Sequence, residues 1–160
     1  MLKKIFLGLL TIFCLIQIFQ IDKNNPAYDS KQDLLSLTQP PAEIADLLKS
    51  ACYDCHSNQT IYPWYSYIQP VGWFLQNHVR EGRGEFNFSE WATYSPDDRG
   101  QILHACAEEV LEGEMPLTSY TLTHADARLT DTQRKNLADW FESGSGERRS
   151  GRDHEAEEHE

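Results

Sequence analysis

Strand-like sequence is the first thing this chain lacks. No run alternates apolar and polar residues convincingly with period two, so the fold class it supports is all-α. Cysteine is scarce, with four in 160 residues, and methionine scarcer, with two, one of them the initiator. Basic residues number 14 against 25 acidic, for a formal net charge of −11, nearly all of it on residues 26–146. So acidic a body argues against nucleic acid and against anionic membrane surfaces. It fits docking to a partner with a basic patch, but a surface kept soluble by its charge accounts for it more simply. There is no internal repeat.

A cleavage site is also missing. Lys3 and Lys4 precede an apolar run over residues 5–21. No small-x-small motif follows it, because Ile18, Phe19 and Gln20 are too bulky or too polar. Cys14 lacks the small residues that a lipoprotein signal places before its cysteine. Residues 1–25 are therefore expected to form an uncleaved signal anchor, a single transmembrane helix with its lysines cytoplasmic, and a cleaved secretory signal is the alternative. Either way the remainder is exported. Residues 26–41, polar and with three prolines, read as a linker. Residues 42–143 form the folded domain, and 144–160 read as a disordered acidic tail.

Four helices are expected in the domain. The first covers 42–53, with Ile44, Leu47, Leu48 and Ala51 in one stripe. A second follows Pro70 and ends at the glycines of 81–84, with Val71, Phe74, Leu75 and His78 on one side. The third starts at Ser95, an N-cap followed by Pro96 and two acids, carries Ile102, Leu103, Cys106, Val110 and Leu111, and stops near Gly113. The fourth starts at a Thr130/Gln133 capping box and buries Leu137, Trp140 and Phe141. The segments between them (54–70, 84–94, 113–129) are long for a compact domain, which implies that a large apolar group organises them.

Cys52, Cys55 and His56 spell C-x-x-C-H, the attachment signature of a c-type haem. Each thiol adds across one porphyrin vinyl group, and the next residue is directed under the iron, where a neutral imidazole is a good axial ligand. A thioredoxin-type redox pair would want a preceding strand, and a structural zinc site a second ligand pair. The only other domain cysteine, Cys106, sits alone on a helix face and reads as a small buried apolar residue. A disulfide between Cys52 and Cys55 stays open. The second axial ligand has three candidates: Met115, followed by Pro116, then His78, then His124. His104 reads as an ordinary helix residue. Tyr62, Trp64, Tyr65, Tyr67, Trp73, Phe74, Trp91 and Trp140 are available for an apolar wall. Arg80 and Arg83 are candidates to pair with propionates.

The blocks "CYDCHSNQTIYPWYSYIQPVGWFLQNHVREGRGEFNFSEW" and "EMPLTSYTLTHADARLT" resemble the haem-binding domain family of membrane-anchored bacterial envelope proteins related to monohaem cytochrome c. The resemblance covers residues 26–142. It implies one covalent haem c on Cys52 and Cys55, with His56 as proximal ligand. It implies a cytochrome c-like fold in which helices 42–53 and 130–142 cross beside the haem, and a distal Met in a Met-Pro loop, which Met115-Pro116 matches. The stretch containing His78 and "NFSEW" is unlike small cytochromes c. The expected protein is an electron carrier rather than a catalyst, on the periplasmic side of a bacterial inner membrane. A haem peroxidase or a gas or redox sensor with an open distal position is the alternative.

Overall fold

The computed structural model describes residues 1–146. Among them there are eight α-helices, several short 3-10 turns and no strand, as an all-α reading requires. The expected tail over 144–160 lies mostly outside the described residues, and its first three residues close the last helix.

Two helices frame the domain. In α6 (Pro96–Glu112) the Ser95 hydroxyl accepts from the Asp98 amide, Pro96 opens the first turn, and Gly113 ends the helix at φ 85°. That left-handed stop is a conformation glycine adopts without steric cost. In α8 (Asp131–Gly146) the capping box forms in both directions: the Gln133 amide donates to Thr130 Oγ1, and the Thr130 amide to Gln133 Oε1. The two helices make the most extensive packing in the fold. Leu103, Cys106, Ala107 and Val110 of α6 face Leu137, Ala138 and Phe141 of α8 in one cluster. Leu111, expected inside, is exposed, because the helix turns its 103/106/107/110 stripe to the core and carries position 111 past it.

α3 (Ala42–Ala51) contributes Ile44, Leu47 and Leu48 to the same core and contacts α8. It stops one residue before Cys52, and a separate single turn, α4 (Tyr53–His56), follows. α5 (Val71–Glu85) runs through the glycines where it was expected to end. Gly82 is placed for close approach, since a Cβ there would lie 2.9 Å from the Cys55 carbonyl oxygen. A mid-helix glycine costs about 0.5–1 kcal/mol relative to alanine, which the packing of α5 on α4 offsets.

The stretch read as a linker is partly core. Asp33 caps α2 (Leu34–Thr38) through the Leu35 amide, and Leu34 is fully buried. Buried Asp33 also accepts from the Tyr53 hydroxyl at 2.8 Å and from Gln59 Nε2 at 2.9 Å. Nothing in a polar, proline-containing sequence reveals a carboxylate whose partners lie about 20 residues away.

The long connections are organised by polar contacts as well as by short turns. Asn58, Asn87 and Ser89 are buried and bond one another: Asn87 Nδ2 donates to Asn58 Oδ1 at 2.9 Å, and the Asn58 amide to Ser89 Oγ at 3.1 Å. Such a network holds a segment without regular structure because its buried polar groups have partners.

At the N-terminus α1 (Leu2–Ile16) is shorter than the expected transmembrane helix. At 1.5 Å per residue it spans about 22 Å, against a hydrocarbon core of about 30 Å. No helix among the described residues is long and apolar enough to cross a membrane. The chain leaves the helix because the side chains of Gln17 and Gln20 bond into the domain, at Gln69 and Tyr67.

Candidate functional site

The site is built around α4. The Cys52 amide bonds the Leu48 carbonyl at the end of α3, and the His56 amide bonds the Cys52 carbonyl. Tyr53 points away from the site and is held by Asp33. Asp54 accepts from the Tyr120 hydroxyl at 2.7 Å and from the Ile61 amide at 2.8 Å. Ser57 Oγ donates to the Tyr53 carbonyl and ends the turn. The backbone of Cys55 lies against Gly82 of α5. One turn of helix is thus fixed from several sides, which sets where its thiols and imidazole point.

Cys52 and His56 face a cavity of about 440 Å³, a size within the range of cofactor sites (roughly 300–1,000 Å³). Its wall is largely apolar and includes Phe86, Phe88, Ile102, Val110, Phe141 and Met115, with Cys106 beside them. The His56 ring stacks on Phe86 with centroids 4.1 Å apart and planes 10° from parallel. Its Nδ1 is buried and has no hydrogen-bond partner. An orphaned buried polar atom of this kind costs about 1–3 kcal/mol. Burial lowers the His56 pKa, with the nearby backbone of Phe86 and Gly82 acting in the opposite direction. The imidazole is therefore held neutral, the form that binds a metal.

All four cysteines are free thiols. Burial, then the neighbouring Cys55, pushes Cys52 up to about 12. Burial, then Asp54, pushes Cys55 up to about 11, with Arg83 opposing. Burial thus favours the neutral thiol over the thiolate at both positions. Cys106 is buried, as expected of a small apolar residue, and lines the cavity, which its position on a helix face did not reveal.

The three distal candidates separate. Met115 lines the same cavity as His56 and Cys52. Its loop is fixed by its amide bonding the Glu109 carbonyl, and by Arg134 Nη1 of α8, which donates to the carbonyls of Met115 and Val110. His78 lines a second cavity of about 260 Å³ together with Cys55 and Tyr120. Its Nδ1 lies 2.8 Å from the Phe74 carbonyl, which assigns the proton to Nδ1 and leaves Nε2 as an acceptor. His124 lines neither cavity; it stacks on Tyr120 at 3.9 Å and bonds the Tyr120 carbonyl. His104 pairs with Glu142 on the surface.

The apolar wall differs from the expected one. Tyr67 and Trp73 are exposed and line neither of these two cavities, Trp64 and Phe74 are exposed but border the second one beside Cys55, and Phe86, Phe88 and Phe141 wall the first. The F-x-F spacing of 86 and 88, directly after α5, was the available signal. Neither arginine lines the main cavity: Arg83 donates to the Ser57 carbonyl, Asn25 and Thr60, and Arg80 to Asn77. Arg134, which no sequence pattern marks, does more for the site than either.

A buried neutral imidazole without a partner, two free thiols on the same turn and an apolar cavity of cofactor size fit a haem. The family model of the haem-binding domain matches residues 11–143. This chain belongs to the haem-binding domain family. No curated protein and no solved structure matches it. Among the described residues no three His, Cys, Asp or Glu side chains gather as a metal-ion site would require. Within the haem-binding domain, His56, Cys52 and Met115 line one cavity, and Cys55 lines the second.

Proposed function

We propose that this haem-binding domain carries one covalently attached haem c and transfers single electrons on the periplasmic face of a bacterial inner membrane, to which α1 tethers it. Cys52 and Cys55 are the thioether positions, His56 the proximal ligand and Met115 the distal one. The observation that carries this reading is the convergence of Cys52, His56 and Met115 on one cavity.

When bound, haem supplies a one-electron Fe(III)/Fe(II) couple. The chain's part is positional. The wall of Phe86, Phe88 and Phe141 excludes water. Burial keeps the His56 imidazole neutral and hence a ligand. Arg134 holds the backbone of Met115, so the thioether meets the site with little loss of freedom. A rigid pair of ligands keeps reorganisation small when an electron arrives or leaves. The acidic surface would steer a basic redox partner.

The test is expression with a haem-maturation system, followed by intact mass and a reduced-minus-oxidised spectrum. One added macrocycle and a far-red thioether band are expected. Met115→Ala should lose that band and bind added cyanide or carbon monoxide. A folded protein with no added mass and no Soret absorption would refute the proposal.

A second reading rests on His78, which lines the cavity beside Cys55 and has its Nδ1 engaged by the Phe74 carbonyl. Under it His78 is the distal ligand or an acid/base group of a haem peroxidase or sensor. His78→Ala would then change the spectrum and Met115→Ala would not.

A further inference from the structure

The outer surface of residues 64–74 carries large apolar side chains; Trp64, Val71 and Phe74 also border the cavity beside Cys55, whereas Tyr67 and Trp73 line neither that cavity nor the one at His56. Trp64 is 75% exposed, Tyr67 58%, Phe74 54%, Val71 43% and Trp73 39%. A cluster of aromatics turned outward on one short segment is a feature that marks an interaction surface. What covers it follows from its position relative to α1.

The end of α1 is fastened to this segment by side chains. Gln17 Nε2 donates to the Gln69 carbonyl and the Gln69 amide donates back to Gln17 Oε1, both at 2.9 Å. Gln20 Nε2 donates to the Tyr67 carbonyl at 3.2 Å. The Trp73 indole Nε1 donates to the Phe19 carbonyl at 2.8 Å. Lys23 Nζ stands 4.1 Å from the centre of the Tyr67 ring. The aromatic segment therefore lies against the chain where the apolar helix ends. Along α1 itself Leu2, Ile5, Phe6, Leu9, Ile12 and Phe13 are all exposed, so that helix too lacks a protein partner among the described residues.

We infer that residues 64–74 form an aromatic collar that seats the domain in the interfacial layer of a lipid bilayer when α1 is in the hydrocarbon. This rests on the reading of α1 as the tether. Tryptophan and tyrosine favour that layer because one end of the ring is apolar and the other polar. The helix length supplies a second reason. α1 is about 8 Å shorter than the hydrocarbon core. A short apolar segment is accommodated by thinning the bilayer, by snorkelling of flanking residues such as Lys3 and Lys4, or by drawing adjacent apolar surface towards the lipid. The collar is that adjacent surface. The domain is thereby held with one face towards the membrane; on α6, which makes no bond to the end of α1, His104 and Glu108 are exposed.

The test reconstitutes the haem-loaded full chain in phosphatidylcholine vesicles containing a diazirine-bearing phospholipid, and maps the adducts by mass spectrometry after illumination. Adducts are expected on α1 and on residues 64–74, and none on α6. Trp64→Ser combined with Tyr67→Ser should reduce adducts on 64–74 to the level of α6 while those on α1 persist. Adducts confined to α1 would overturn the collar and leave the tether standing. Adducts on neither would overturn both. Cross-links between two copies at 64–74, with no lipid adduct there, would assign the surface to self-association and refute the inference. The Soret band of the same sample reports haem loading, so failure of the haem reading is seen separately.

Discussion

Gly82 and Gly84 lie in the same helix and answer oppositely to the same added methyl group. At Gly82 a Cβ would lie 2.9 Å from the Cys55 carbonyl oxygen and 3.2 Å from its carbonyl carbon and Cβ, all parts that cannot swing aside. At Gly84 it would meet nothing within 4 Å. Overpacking of this kind costs about 1–3 kcal/mol. Replacing a helical glycine with alanine returns about 0.5–1 kcal/mol. Gly82→Ala should therefore destabilise by about 1–2 kcal/mol, and Gly84→Ala should stabilise by up to about 1 kcal/mol. The first substitution acts on the turn that carries Cys52, Cys55 and His56, so haem incorporation should fall with it, and the second should leave incorporation intact. Urea unfolding at unchanged m-value gives the stabilities, and Soret absorption per mole of chain gives the loading. If Gly82→Ala were as stable and as fully loaded as Gly84→Ala, the claim that α5 positions the motif by contact at Cys55 would be wrong.

Three further outcomes are expected. Asp33→Ala leaves the Tyr53 hydroxyl and the Gln59 amide without their acceptor and removes the α2 cap, so thermal unfolding should show a loss of about 2–4 kcal/mol; a loss below 1 would mean that the buried carboxylate is not a structural hub. Tyr53 has its pKa raised by burial first and then by its bond to Asp33; the folded state holds this proton more tightly, so its contribution is full below pH about 10 and is lost as pH rises beyond it. Tyr53→Phe should flatten the alkaline limb of the stability profile, and an unchanged slope would contradict the assignment. Arg134→Met frees the Met115 and Val110 carbonyls; the far-red thioether band should weaken while covalent loading stays the same, and loss of loading instead would make Arg134 a folding residue only.

How much was legible depended on how local the cause was. The starts of α6 and α8 were readable because Ser95 and the Thr130/Gln133 pair act within one turn of themselves. α5 continues past the glycines at 82 and 84, where glycine usually signals a stop, because Gly82 serves a contact with another helix. The burial of Leu34 and Asp33 was missed because their partners, Tyr53 and Gln59, are distant in the chain. The aromatics nearest the motif were expected to line the cavity. Tyr67 and Trp73 face away from both cavities, while Trp64, Tyr65 and Phe74 border the second one beside Cys55, where α5 meets α4 through Gly82.

By itself the sequence determined the helical class, the cap-defined helix starts and the C-x-x-C-H spacing of Cys52, Cys55 and His56, since each of these depends on residues within a few positions of one another. Tertiary structure alone decided that Met115 joins His56 in one cavity while His78 and His124 do not, that Phe86 and Phe88 form its wall, and that residues 64–74 are left facing outward beside α1. Those outcomes depend on how helices pack across long separations, and side-chain spacing along a chain carries no information about which face of one helix meets which face of another.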